Sequence, residues 1–85
     1  MRRVLIEVPE SVSEAIRLPL REQPDRLRLE LALSLYAQDL LSLGKAAELA
    51  SRDRHSFSAE LGRRNIVRHY TDEELADDLR YARGQ

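Results

Sequence analysis

Eight side chains in the middle of the chain carry the groups best suited to recognition: Lys45, Arg52, Arg54, His55, Ser56, Ser58, Arg63 and Arg64. A guanidinium offers a planar fork of donors that matches a phosphate or the O6/N7 edge of guanine, and a serine hydroxyl can donate to or accept from several bases. The spacing assigns Arg52, Arg54, His55, Ser56, Ser58 and the neighbouring Ala59 to base edges, and Lys45, Arg63 and Arg64 to phosphates. The plainer reading of each arginine is a solvated surface charge.

Bond-making chemistry finds little support. There is no cysteine, which excludes a disulfide framework, a thiolate nucleophile and a Cys-based metal site. The two histidines, His55 and His69, stand in no metal-ligand motif, and Asp53 and Asp72 are merely their nearest carboxylates in sequence. The acids Glu73, Glu74, Asp77 and Asp78 read as the solvated face of a helix. The expectation is therefore a non-enzyme with no catalytic residue, cofactor, metal or small-molecule substrate.

The charge is unevenly distributed. The whole chain of 85 residues carries a net charge of −1. Residues 42–70 nevertheless hold six basic groups (Lys45, Arg52, Arg54, Arg63, Arg64, Arg68) against three acids, and residues 71–85 hold five acids against Arg80 and Arg83. The first block is net +3 and the second net −3, and local field rather than total charge governs attraction to phosphate. A basic middle and an acidic end suggest two different partners. No apolar run approaches the roughly 18 residues of a membrane span, and the N-terminus does not resemble a signal sequence, so a cytoplasmic location is expected.

The elements that must position these groups follow from periodicity. Residues 2–8 alternate, with Val4, Ile6 and Val8 on one face, which predicts a strand ended by Pro9. A short helix over about Val12 to Leu18, capped by Ser11 or Ser13, stops at Pro19. Residues 25–42 predict a long helix capped by Asp25, with Leu27, Leu31, Leu35 and Tyr36 as its main stripe and Leu29, Leu33, Leu40 and Leu41 widening it. So wide an apolar surface in a small domain favours a dimer core or a partner groove over a stand-alone fold. Ser42 caps a short helix whose Leu43, Ala46, Ala47, Leu49 and Ala50 share a side, and after a turn at Ser51 to Asp53 a second helix runs to about Gly62 with Phe57 and Leu61 on one face. Two short helices crossing on alanines give the pattern of a helix-turn-helix, whose second helix enters a major groove. A second short strand over Asn65 to Tyr70 could pair with the first. Thr71 and Glu74 form a capping box for an acidic last helix with Leu75, Leu79 and Tyr81 on its apolar edge.

Taken together, LALSLYAQDLLSLGKAAELA, the Phe57 to Gly62 segment and HYTDEELADDL resemble the uncharacterised protein family numbered 0175 in the UPF series, over nearly the whole chain. The resemblance implies a helix-turn-helix antitoxin of a prokaryotic toxin–antitoxin pair, with a PIN-domain ribonuclease as toxin. The sequence departs from the family pattern at the turn, where Ser51 and Arg52 replace Gly and an apolar residue. It also departs at His55, where a bulky residue is common, and at Asn65-Ile66-Val67 after the second helix.

The expected architecture is a single, mainly α domain over 1–85. It is divided into strand and short helix (1–24), long core helix (25–42), helix-turn-helix (42–64), and second strand with acidic helix (65–85), and it is assembled as a homodimer. The expected function is an antitoxin that binds operator DNA through residues 42–64 and a PIN-type nuclease through Leu75, Leu79, Arg80, Tyr81 and Arg83. The alternatives are a protein-interaction module or transcriptional regulator without a toxin partner, a helical hairpin that merely packs a core, and a ribbon-helix-helix arrangement in which Val4 to Val8 of two copies form the DNA-reading ribbon.

Overall fold

The computed structural model describes residues 3–67. The second strand beyond Val67, His69, and the acidic helix with Leu75, Leu79, Arg80, Tyr81 and Arg83 lie outside the described residues. Four α-helices are present among the described residues: α1 (Glu10–Ala15), α2 (Gln23–Ala37), α3 (Leu43–Leu49) and α4 (Arg54–Arg63), with a 3₁₀ turn over Leu20–Glu22 ahead of α2.

The expected strands do not form among the described residues. Residues 3–9 run as irregular chain, with Val4 81%, Leu5 90% and Ile6 70% exposed, so the alternation in sequence does not sort these side chains into an inner and an outer face. A lone run of this kind has no neighbouring strand to complete a ladder. At the other end, Asn65 closes α4 and Ile66 packs on the core, so the start of the second expected strand serves as a helix cap instead.

α1 begins two residues earlier than the sequence predicts and ends at Ala15. The Pro9 carbonyl accepts from the N–H groups of Val12 and Ser13, both at 3.0 Å, and no serine side chain caps the helix. Ile16 then turns extended, consistent with the bias against helix ahead of Leu18-Pro19. Gln23, only 6% exposed, ties this segment to α2: its Nε2 donates to the carbonyls of Ser13 (3.0 Å) and Leu18 (3.3 Å), and Ser13 Oγ donates to its Oε1 (2.7 Å).

α2 starts at Gln23, with Pro24 in the first turn, where a missing N–H leaves no bond unmade. Asp25 does not cap it and pairs with Arg28 instead. The helix stops at Ala37, short of the expected Ser42, because Asp39 takes a left-handed conformation with φ of 63°. The Leu40 N–H then reaches back to Leu35 O (2.9 Å) and the Asp39 N–H to Tyr36 O (3.0 Å), the paired bonds of a Schellman cap. The buried face is Leu29, Ala32, Leu33 and Tyr36, a run at i, i+3, i+4, i+7. Of the stripe expected to lead, Tyr36 is fully buried, whereas Leu27 and Leu35 are half-buried and Leu31 is exposed; Leu29 and Leu33, expected only to widen it, are core residues.

The core sits where α3 and α4 close on that face. It consists of Leu29, Ala32, Leu33, Tyr36, Leu43, Ala46, Ala47, Ala50, Phe57 and Leu61, with Leu41, Leu49 and Ile66 against its edge. Ala32, Ala46 and Ala47 keep the α2–α3 crossing close, while the Tyr36 and Phe57 rings meet edge to face at 6.3 Å and 88°. On the outer side of α2, Val4, Ile6, Val8, Leu20, Leu27 and Leu31 border an open apolar cleft of about 720 Å³.

The same cap recurs after α3 and α4. Ser51 (φ 56°) lets Arg52 donate to Ala47 O at 2.9 Å, and Asn65 (φ 56°) lets Ile66 donate to Leu61 O at 2.9 Å. Asn and Asp tolerate this region better than Ser, which has the weakest claim to it. Ser51→Gly is expected to raise stability by about 0.5–1 kcal/mol, read as a higher denaturation midpoint. A lower midpoint would mean that Ser51 does not hold the left-handed turn.

Candidate nucleic-acid interface

α3 and α4 are held in place by two caps and one crossing. Ser42 Oγ accepts the Lys45 N–H (3.3 Å) at the start of α3, and Asp53 Oδ1 accepts the Ser56 N–H (2.7 Å) at the start of α4. The bond from the Ser56 backbone, joined by the Ser56 hydroxyl, lowers the Asp53 carboxyl below its ordinary range, so the cap is charged at neutral pH. Phe57 and Leu61 anchor the inner side of α4 in the core. The opposite side therefore faces outward, with His55, Ser56, Ala59, Gly62 and Arg63 exposed.

The predicted recognition residues fall into distinct positions. His55 and Ser56 are exposed in the first turn of α4, while Arg52, exposed just ahead of the helix, borders a cleft with Leu18, Glu22, Asp25 and Leu29 on the α2 side; no ion pair of Arg52 is found among the described residues. Ser58 and Arg54 are half-buried beside them. Lys45 is exposed on α3 but pairs with Glu48 at 3.0 Å, and Arg63 pairs with Glu60 at 2.7 Å. Such exposed pairs are weak and exchange readily for another anion. Arg64 turns the other way: its Nη1 donates to Glu30 Oε1 at 2.6 Å, linking the end of α4 to α2.

Two contributors escaped the sequence reading. Glu30 was one acid among many in a helix, yet it receives both Arg64 and Arg26, and the Arg64 hydrogen bond, with help from Arg26, lowers its carboxyl to about 2. Gly44 reads in sequence as a helix weakness. In the structure it faces Arg54, where a Cβ would stand 2.8 Å from Nη2 and 3.5 Å from Cζ and Nε. A glycine early in an otherwise Ala/Leu-rich helix was the available signal.

α3 and α4 thus form a helical pair with a short turn, an inner side sealed in the core and an outer side carrying cations and hydroxyls. The chain belongs to the uncharacterised protein family UPF0175, whose model matches residues 1–84. It is 44% identical to a UPF0175 protein of Aeropyrum pernix over 82 residues, covering 96% of this chain and 88% of that one. It is 42% identical to a UPF0175 protein of Halobacterium salinarum over 71 residues, 80% of this chain and 71% of the relative. No solved structure matches the chain at a significant level. Among the described residues no helix is long and apolar enough to cross a membrane.

The Glu30–Arg64 link sets a pH dependence. A carboxyl depressed on folding contributes stability above its unfolded value near 4.5, and that contribution is lost as pH falls toward the folded value of about 2. Glu30→Gln is therefore expected to lower stability at pH 7 by about 0.5–1 kcal/mol, a modest figure because both side chains remain partly solvated. It should also flatten the loss of stability between pH 5 and 2 in thermal unfolding. An unchanged acid profile would show that another carboxylate governs it.

Proposed function

We propose that this protein is the antitoxin of a type II toxin–antitoxin pair, a cytoplasmic homodimer that binds operator DNA through α3, α4 and their turn, and a PIN-type nuclease through its acidic C-terminal segment. The observation that carries the DNA half is the exposure of His55 and Ser56 in the first turn of α4, the end from which a groove-entering helix reads bases, with Arg52 exposed just ahead of it. Lys45 on α3 and Arg63 at the far end of α4 would supply charge toward phosphates. The reversed charge of residues 71–85 supports a separate protein partner, with Leu75, Leu79 and Tyr81 as apolar anchors and Arg80 and Arg83 facing the acidic metal site of such a nuclease. Ten apolar residues make a small core, and the apolar cleft beside α2 supports its completion by a second copy.

The competing reading is a protein-interaction module that does not bind DNA. The pairing of Lys45, Arg63 and Arg64 with carboxylates favours it, since it leaves fewer cations uncommitted.

The readings separate in a mobility-shift experiment. The parent is expected to bind a duplex carrying its own upstream DNA with an affinity that falls as salt rises, and a variant with Arg52→Ala, Arg54→Ala and Arg63→Ala is expected to lose that binding. No shift by the parent at low salt would remove the repressor half and favour the interaction module. Deleting residues 71–85 is expected to leave a folded dimer by light scattering while abolishing rescue of cells from the adjacent toxin. Full rescue by the truncated chain would move the nuclease contact elsewhere.

A further inference from the structure

We infer that two copies of this chain pack about a two-fold axis on the outer side of α2, with residues 3–8 of each copy crossing antiparallel at Leu5 and closing the apolar cleft between them. This names the surface of the homodimer proposed above and rests on that reading.

Area and lining point to a protein as the occupant. Val4, Leu5, Ile6, Val8, Leu20 and Leu31 border one cleft, and all of them stay exposed in the single chain. Together they leave roughly 600 Å² in water, the upper end of what a monomer leaves bare and close to the roughly 800 Å² that one partner buries in an interface of standard size. Pro24, Leu27 and Leu49 continue the apolar lining around the cleft of about 720 Å³. Its polar members are already engaged: Ser13 is bonded to Gln23 at 2.7 Å and Arg28 to Asp25 at 3.1 Å. An apolar centre with satisfied polar groups around it is the anatomy of a protein contact.

Charge selects this chain as its own partner. Around a two-fold axis every contact is made twice, residue i on j and j on i. With the axis at Leu5, antiparallel segments set Leu5 against Leu5, Val4 against Ile6, and Arg3 against Glu7 of the second copy. One acid and one base then meet on each side of the axis. Arg3 and Glu7 are both exposed, and neither has an ion pair among the described residues. An axis one residue away, at Val4 or at Ile6, breaks both pairs, because it sets Leu5 against Arg3 or against Glu7. The contact is between side chains and requires no ladder of backbone bonds.

Sedimentation velocity of the full chain tests the surface, with circular dichroism as the check on folding. The parent is expected to be a dimer at tens of micromolar. Ile6→Glu and Leu31→Glu are each expected to weaken association by about tenfold or more with helicity unchanged, since both side chains lie exposed in the single chain. A monomeric parent overturns the homodimer reading and this inference with it, whereas a dimer that survives both substitutions keeps the reading and overturns the surface assigned here. Charge reversal tests the register. Arg3→Glu alone and Glu7→Arg alone bring like charges together, and each should weaken association by about tenfold, while the chain carrying both should return to within about threefold of the parent. Mixing the two single variants should give mostly heterodimer by native mass spectrometry, because each acid then meets a base again. Homodimers and heterodimers in the statistical ratio would overturn the crossing at Leu5.

Discussion

The structure depends on the closure of one aromatic contact. Tyr36 at the end of α2 and Phe57 in the first half of α4 are both fully buried and meet edge to face, while the intervening α3 brings only Leu43 and small alanines to the crossing. Large side chains from α2 and α4 can meet because α3 between them stays thin. A bulkier residue at Ala46 or Ala47 would push α3 off α2 and part the two rings, a loss of packing density that close-packed interiors tolerate poorly. The outward side of α4 owes its direction to this contact, since burying Phe57 and Leu61 leaves His55, Ser56, Ala59 and Arg63 no option but solvent.

Electrostatics reinforce the arrangement at its far end. Arg64 leaves α4 for Glu30 on α2, two positions far apart in sequence, while Arg63 beside it stays on the surface with Glu60. Adjacent arginines thus hold different tasks, one closing the helix against the frame and the other available at the periphery. Arg26 shares Glu30 with Arg64, so the carboxylate is satisfied from both its own helix and the opposite one. The link is partly solvated, so it fixes orientation more than it adds stability.

Much of residues 42–64 was legible in the sequence because the controlling signals are local. Ser42 as a cap, Leu43, Ala46, Ala47 and Ala50 as an inner side, and Phe57 with Leu61 one turn apart are all set by helical spacing and stand as read. The strand over residues 2–8 was misread because a period of two shows only that a ladder is possible, and no neighbour supplies the other half among the described residues. The length of α2 was overestimated because the apolar run continues through Leu40 and Leu41 while the backbone has already reversed at Asp39; periodicity is blind to a residue of positive φ. Its inner stripe was placed correctly only at Tyr36, because Leu occupies nearly every face, so composition could not rank one leucine over another, and the small residue Ala32 marked the true inner side. Gly44 and Glu30 were missed since each acts through a partner far along the chain.

The three helix ends at Asp39, Ser51 and Asn65 share a consequence for how the molecule comes together. Each reversal is formed within a few consecutive residues by a left-handed backbone and two short return bonds. The loops to be closed between successive helices are therefore only a few residues long. Short closures lose little chain entropy, which places this unit among the topologies that assemble quickly, with few opportunities for wrongly docked intermediates.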